Sequence, residues 1–155
     1  MSIRRSLLAF GAAIVVFAAG LTGNPAKSSS EPAIKIEGPW VRETPIGGTS
    51  GGGYMRIINS GKESDRLLGA ESSVAQSIVL QEITYVDQTL RTRTLPNGIE
   101  IPPEKIVQLQ WNASHLLFEG LKAPFSPYTY IEATLIFEKA GRIPVRFIVR
   151  PRVEQ

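Results

Sequence analysis

The sequence predicts an all-β domain, an antiparallel Greek-key β-sandwich of about eight short strands. Apolar and polar residues alternate along most of the segments that are rich in β-branched and aromatic residues, as they do in sheets with one face in solvent. Glycine- and proline-rich turns separate these segments at short intervals. The domain has no convincing segment with the 3.6-residue periodicity of a helix. These patterns are typical of a β-sandwich.

The predicted strands follow one another from residue 34 to residue 150. Gly38-Pro39 interrupts the first strand and indicates a bulge or a kink. The glycine-rich residues 45–53 lack the lysine and the hydroxyl residue of a phosphate-binding loop, so we interpret them as a flexible loop between strands. The later strands are expected within residues 54–58, 66–70, 78–86, 89–95, 109–121, 130–137 and 142–150. Pro102 and Pro103 separate two further short apolar runs, at 99–101 and 106–109.

The first residues of the chain have the pattern of an export signal. Arg4 and Arg5 precede an apolar run over residues 7–21, and small residues follow it. The run is shorter than the ~20 apolar residues of a typical spanning helix. We therefore predict an export signal over residues 1–26, with an uncleaved N-terminal anchor as the alternative. Residues 27–33 then form a linker, 34–150 the domain and 151–155 a tail, and the expected location is the periplasm or another extracytoplasmic space.

Charge and cysteine content exclude several classes of function. The formal net charge is +3, and removal of residues 1–26 takes away Arg4 and Arg5 but no acidic residue, which leaves +1. So small a charge gives no basis for nucleic-acid binding or for binding to an anionic membrane surface. Cysteine is absent, so the sequence offers no disulfide, no thiolate ligand and no cysteine to carry a lipid.

His115 is the only histidine and the first candidate for any chemistry. Ser114 adjoins it, but neighbouring residues of a strand point to opposite faces, which argues against a serine–histidine pair. No G-x-S-x-G motif is present. The acidic residues are scattered, and none lies in an aromatic-rich run that would form a sugar cleft. We therefore expect that the protein is not an enzyme.

Several short sequences occur in an order that identifies a family. They are GPWVR at 38–42, YMRIIN at 54–59, DRL at 65–67, VLQE at 79–82, GIEIP at 98–102, HLL at 115–117, GLK at 120–122 and TLIFEKAG at 134–141. In this order they resemble the PCu(A)C family, which are exported copper chaperones with a cupredoxin-like β-sandwich. The resemblance covers nearly all of residues 34–150 and implies copper as the cargo.

The resemblance also implies the position of a metal site. In the family a histidine precedes a glutamate, a methionine follows further along, and a His-x-Met pair completes the set. Here Gln81 stands at the first histidine position before Glu82, Thr92 near the first methionine position, and His115 and Leu117 at the final pair. Leucine has no donor atom and threonine is a hard ligand for Cu(I). The implied ligands are therefore His115, Gln81 and Glu82, and we expect copper binding to be weak.

Two hypotheses from different classes follow. In the first, the protein carries copper to an exported cuproprotein such as cytochrome c oxidase, with His115 as the main ligand. In the second, it is a metal-free binding module that has kept the sandwich and lost the Cu(I) site. The face around Gln81, Tyr85, Thr92 and His115 would then contact another protein or a small ligand.

Overall fold

The computed structural model describes residues 33–152, and this part of the chain consists of strands, turns and loops. The predicted signal at residues 1–26, most of the linker and the last three residues of the tail lie outside the described range. The ten strands are β1 (Ile34–Arg42), β2 (Ser50–Asn59), β3 (Asp65–Glu71), β4 (Ser77–Val86), β5 (Thr89–Thr94), β6 (Ile99–Ile101), β7 (Lys105–Leu109), β8 (Ser114–Glu119), β9 (Tyr130–Phe137) and β10 (Arg142–Arg150).

The strands form one continuous hydrogen-bonded sheet in the order β5-β4-β8-β2-β1-β10-β9-β3-β6, with β7 paired to β2. All of its pairs are antiparallel except β1–β10, which is parallel. The ring of Phe118 on β8 lies 5.9 Å from that of Phe147 on β10, although two strands separate them in the sheet. The sheet is therefore folded over on itself, and its two halves enclose one apolar core, as in a β-sandwich.

The all-β class and the sandwich are confirmed, but the described residues form ten strands rather than about eight. The largest local difference concerns residues 45–53. Ser50 to Gly53 belong to β2 and pair with β8. A side chain at Gly51 would meet the ring of Phe125 at 2.8 Å, and one at Gly53 would meet Phe118 at 2.8 Å. These glycines therefore allow close packing of aromatic rings against a strand.

The predicted irregularity in β1 is confirmed. The register with β2 shifts between Glu37 and Trp40, and Gly38 has a φ of 55°. The extra residue reverses the alternation, because Ile36 and Val41 are an odd number of residues apart and yet both pack on the core. The same shift places the ring of Trp40 on the outer face of the sheet, beside β2.

The β7 and β8 strands act as two halves of one interrupted strand. Met55 to Asn59 of β2 pair with β7, and Ser50 to Gly53 pair with β8 along the same side of β2. Between the halves the chain leaves the sheet for residues 110–113, and the amide N–H of Gln110 donates to the carbonyl oxygen of Ser114 across this gap. Trp111 lies in this short loop, and 56% of its surface is exposed.

No helix in residues 33–152 has the length and apolar character needed to cross a lipid bilayer.

Candidate metal centre

His115 lies on β8 and faces away from the core. Its neighbours Leu116 and Phe118 are fully buried members of the core, and side chains alternate along a strand, so His115 and Leu117 share the outer face. The histidine is nevertheless buried, with 6% of its surface exposed. Ser114 points to the opposite face, as the sequence predicted.

The backbone around His115 determines which ring nitrogen carries the proton. Nδ1 lies 3.1 Å from the carbonyl oxygen of Ala113, an acceptor that requires an N–H donor. Nδ1 is therefore protonated in the neutral ring, and Nε2 keeps a free lone pair. Metal-binding histidines are commonly oriented in this way, with one nitrogen donating to the backbone and the other facing the metal.

Gln81 is the predicted ligand that the structure brings to His115. The two residues are directly opposite each other in the β4–β8 pair, so their side chains emerge on the same face. On the other side of β4, Gln81 is opposite Thr94 of β5. Thr92, at the position of a lost methionine, shares this face but lies one row away, opposite Ile83.

Glu82 is not brought to His115. It is opposite Ser114 and Arg93, on the other face of β4, and its carboxylate is 2.7 Å from the guanidinium of Arg93. Within residues 33–152 no group of three or more histidine, cysteine, aspartate or glutamate side chains is placed to hold a metal ion. Leu117 lies opposite Val79 and Gly52 on the outer face, and its side chain offers no lone pair.

A row of aromatic rings continues the outer face beyond His115. The ring centroid of Tyr54 is 6.1 Å from that of His115, and the centroid of Trp40 is 4.5 Å from that of Tyr54. Tyr54 is buried but separate from the core cluster. Sequence reasoning missed this row, because the bulge in β1 decides which face Trp40 occupies.

Burial of Tyr54 also changes its acidity. Desolvation raises the pKa of the Tyr54 hydroxyl above its ordinary value, and the positive charge of Arg42 opposes this change. The hydroxyl lies over Gly52, where a side chain would overlap it. The Tyr54 side chain beside His115 is therefore uncharged at any pH below the ordinary range of tyrosine ionisation.

The donor set fits a copper ion only in part. Imidazole nitrogen suits copper, and the amide oxygen of Gln81 is a hard donor that suits Cu(II) better than Cu(I). The chain supplies one strong ligand, His115, where a Cu(I) site normally has several soft ligands. A copper ion here would take one strong ligand from His115, with Gln81 as a weak second donor, and would need further ligands from another molecule.

Comparison with known proteins identifies the family of the domain. The family model Putative lipoprotein LpqE-like matches residues 34–149. The Putative lipoprotein Lxx21020 of Leifsonia xyli subsp. xyli is 28% identical over 117 residues, which are 76% of this chain and 69% of that protein.

Several solved structures share the fold. The copper-bound PCuAC domain from PmoF2 is 29% identical, with a TM-score of 0.65 over 77% of this chain and 94% of that chain. The apo PmoF2 PCuAC domain is 30% identical, with a TM-score of 0.62 and 90% of that chain covered. Cu(I)-DR1885 from Deinococcus radiodurans, at 23% identity and a TM-score of 0.64, supports the fold alone.

The family match covers most of the domain, and the PCuAC domains have the same cupredoxin-like sandwich. The chain belongs to the LpqE-like family, and its domain is of the PCuAC type.

Proposed function

We propose that this protein is an exported copper carrier rather than an enzyme, and that His115 holds the metal. The observation that carries the proposal is the 3.1 Å contact between Nδ1 of His115 and the carbonyl oxygen of Ala113. Because a carbonyl oxygen only accepts, Nδ1 is the donor and Nε2 keeps the free lone pair. The copper-bound state of the PmoF2 domain supports copper as the cargo. Its recipient would be an exported cuproprotein such as cytochrome c oxidase.

The open coordination positions suit transfer rather than storage. A copper ion held by His115 with weak help from Gln81 can accept further ligands from a receiving protein without first losing several of its own. Such a carrier binds copper weakly when alone and more tightly in the complex. Export would depend on the predicted signal at residues 1–26, where Arg4 and Arg5 precede an apolar run.

A Cu(I) titration of the purified chain against a competing chelator tests the proposal. We expect one equivalent to bind, and His115→Ala to weaken binding at least about tenfold, which corresponds to about 1.4 kcal/mol. Glu82→Gln is the matched control, since Glu82 faces away from His115 and pairs with Arg93. A parallel Cu(II) titration measures the preference between the two ions.

The second candidate is a metal-free binding module, and the absence of an acidic or histidine cluster in the described residues favours it. No binding of either ion above the background of His115→Ala would support this module and remove the carrier. Circular dichroism of His115→Ala must match that of the parent chain, because the substitution creates space in a buried position.

A further inference from the structure

The strongest feature outside the metal centre is a pair of arginines on the outer face of the sheet. Arg42 ends β1 and Arg150 ends β10, and the two residues are directly paired in the parallel β1–β10 register. Both are exposed. Like charges directly opposite each other on neighbouring strands repel, so this pair is unfavourable unless an anion lies between them.

The nearby acidic residues do not neutralise the two arginines. No salt bridge within residues 33–152 involves Arg42 or Arg150, whereas several other arginines on the sheet are paired. Glu37 already contacts Lys35 and Arg56. Glu43 follows Arg42 directly, but no ion pair of its carboxylate with either arginine is formed.

The Trp40 ring holds one of the two arginines in place. The guanidinium carbon of Arg150 lies 5.0 Å from the centroid of Trp40, within the range of a cation–π contact. A guanidinium that lies over an aromatic ring loses less entropy when it binds, and its N–H groups form a planar fork that matches a carboxylate. Arg42 supplies the second positive charge next to it.

We propose that Arg42 and Arg150 form a docking site for an acidic segment of a partner protein, whose carboxylates bind between the two guanidinium groups. The site is continuous with the metal centre, because Trp40, Tyr54 and His115 form an unbroken row of ring contacts. A partner docked by its acidic segment on the arginine pair would cover this row and bring other groups close to His115. The docking site itself requires no copper.

The test uses the copper-free full-length chain and hexaglutamate as the probe. Two-dimensional NMR follows the indole N–H of Trp40 and the Nε–H signals of the arginines. We expect saturable shifts of these signals with hexaglutamate and none with hexalysine. In the double variant Arg42→Gln/Arg150→Gln the affinity should fall at least about tenfold.

Arg146→Gln is the matched control. Arg146 also lies on β10 and also stacks on an aromatic ring, that of Tyr130, but Glu132 lies 3.9 Å from it. The Arg146→Gln variant should bind hexaglutamate with the affinity of the parent chain. Equal losses in this variant and in the double variant would overturn the proposal, because the probe would then sense only the general positive charge. Unsaturable shifts, or unchanged affinity in the double variant, would also overturn it.

Two further measurements distinguish docking of an acidic segment from binding of small anions and from copper binding. Acetate and inorganic phosphate are titrated separately, at the same concentration of anionic groups as in the hexaglutamate titration. If either small anion binds as tightly as hexaglutamate, the site does not require a peptide segment, and the proposal is overturned. His115→Ala is expected to bind hexaglutamate like the parent chain. A failure of copper binding and a failure of docking are therefore distinguishable, since each has its own variant.

Discussion

The Nδ1 atom of His115 and the carbonyl oxygen of Ala113 are joined by a contact of 3.1 Å. The same carbonyl oxygen accepts a hydrogen bond from the amide N–H of Ile83 on β4. One backbone atom therefore connects the loop before β8 to the neighbouring strand and also fixes the tautomer of the histidine. Nε2 is therefore the nitrogen that would bind the copper ion under the proposed function.

A methionine at position 117 should strengthen Cu(I) binding. Leu117 lies two residues beyond His115 on the same face, and leucine and methionine have similar volumes, so the exchange costs less than about 1.5 kcal/mol of stability. The thioether supplies a second soft ligand, and we expect Leu117→Met to raise the Cu(I) affinity at least about tenfold in a chelator competition. Leu116→Met is the control, because Leu116 faces the core. Equal affinities in the two variants would show that position 117 does not face the metal.

Alkaline titration should separate Tyr54 from the other three tyrosines. Burial raises the pKa of Tyr54, so its phenolate forms at a higher pH in the folded chain than in the unfolded chain. Below the ordinary pKa of tyrosine, the contribution of Tyr54 to the free energy of unfolding does not change with pH. Above it the unfolded state releases the proton first, so the free energy of unfolding falls as the pH rises.

The absorbance of tyrosinate measures this effect. We expect one late step in the parent chain and its loss in Tyr54→Phe. Arg42→Gln should move the late step to still higher pH, because the charge of Arg42 lowers the pKa of Tyr54. A late step that survives in Tyr54→Phe would assign it to another tyrosine and contradict the burial argument.

Gly52 should be intolerant of any side chain. A Cβ atom there would overlap the hydroxyl of Tyr54, whose ring is confined by Trp40 and His115. We expect Gly52→Ala to lower the free energy of unfolding by about 1–3 kcal/mol, measured by urea denaturation. Gly69 on β3 is the matched control, because a side chain there meets nothing within 4 Å. Similar losses of unfolding free energy in Gly52→Ala and Gly69→Ala would show that the overlap with Tyr54 is not the cause.

Asp65 should be one of the most important polar residues for stability. Its buried carboxylate accepts hydrogen bonds from the amide N–H groups of Arg66, Lys139 and Ala140, and so joins β3 to the β9–β10 turn. Asp65→Ala leaves these donors without their acceptor and should cost about 3 kcal/mol or more. Glu63→Ala should cost less than about 1 kcal/mol, because its salt bridge with Lys139 is exposed. Thermal and urea unfolding of the two variants provide the comparison.

Alternation along single strands made much of the fold predictable. In β9, Ile131, Ala133, Leu135 and Phe137 were expected on one face, and all are buried. In β10, Val145, Phe147 and Val149 are buried between exposed arginines, also as expected. Gly38-Pro39 marked the bulge in β1. These features depend on residues that are close together in the sequence, so the local pattern contains the information.

Features that depend on distant residues were not predictable. The glycines of β2 resembled a loop, because the rings that require them, Phe118 and Phe125, come more than sixty positions later in the sequence. The pairing of Gln81 with Thr94, one row away from Thr92, depends on the β4–β5 register. The tautomer of His115 depends on the position of the Ala113 carbonyl oxygen, which no residue type encodes. The sequence therefore singled out His115 as the candidate ligand and left its surroundings undetermined.

The interruption between β7 and β8 separates the backbone that holds His115 from the exposed loop that carries Trp111. Hydrogen bonds to β2 on both sides of the gap, and to β4 on one side, hold the backbone around His115. The N–H of Ile83 on β4 also holds the carbonyl oxygen of Ala113, which contacts Nδ1 of His115, so the side chains of residues 111 and 112 take no part in positioning the histidine. The excursion can therefore change its side chains at residues 111 and 112 without moving the histidine. A substitution at Trp111 would therefore change the exposed surface beside the histidine without moving the imidazole that we propose holds copper.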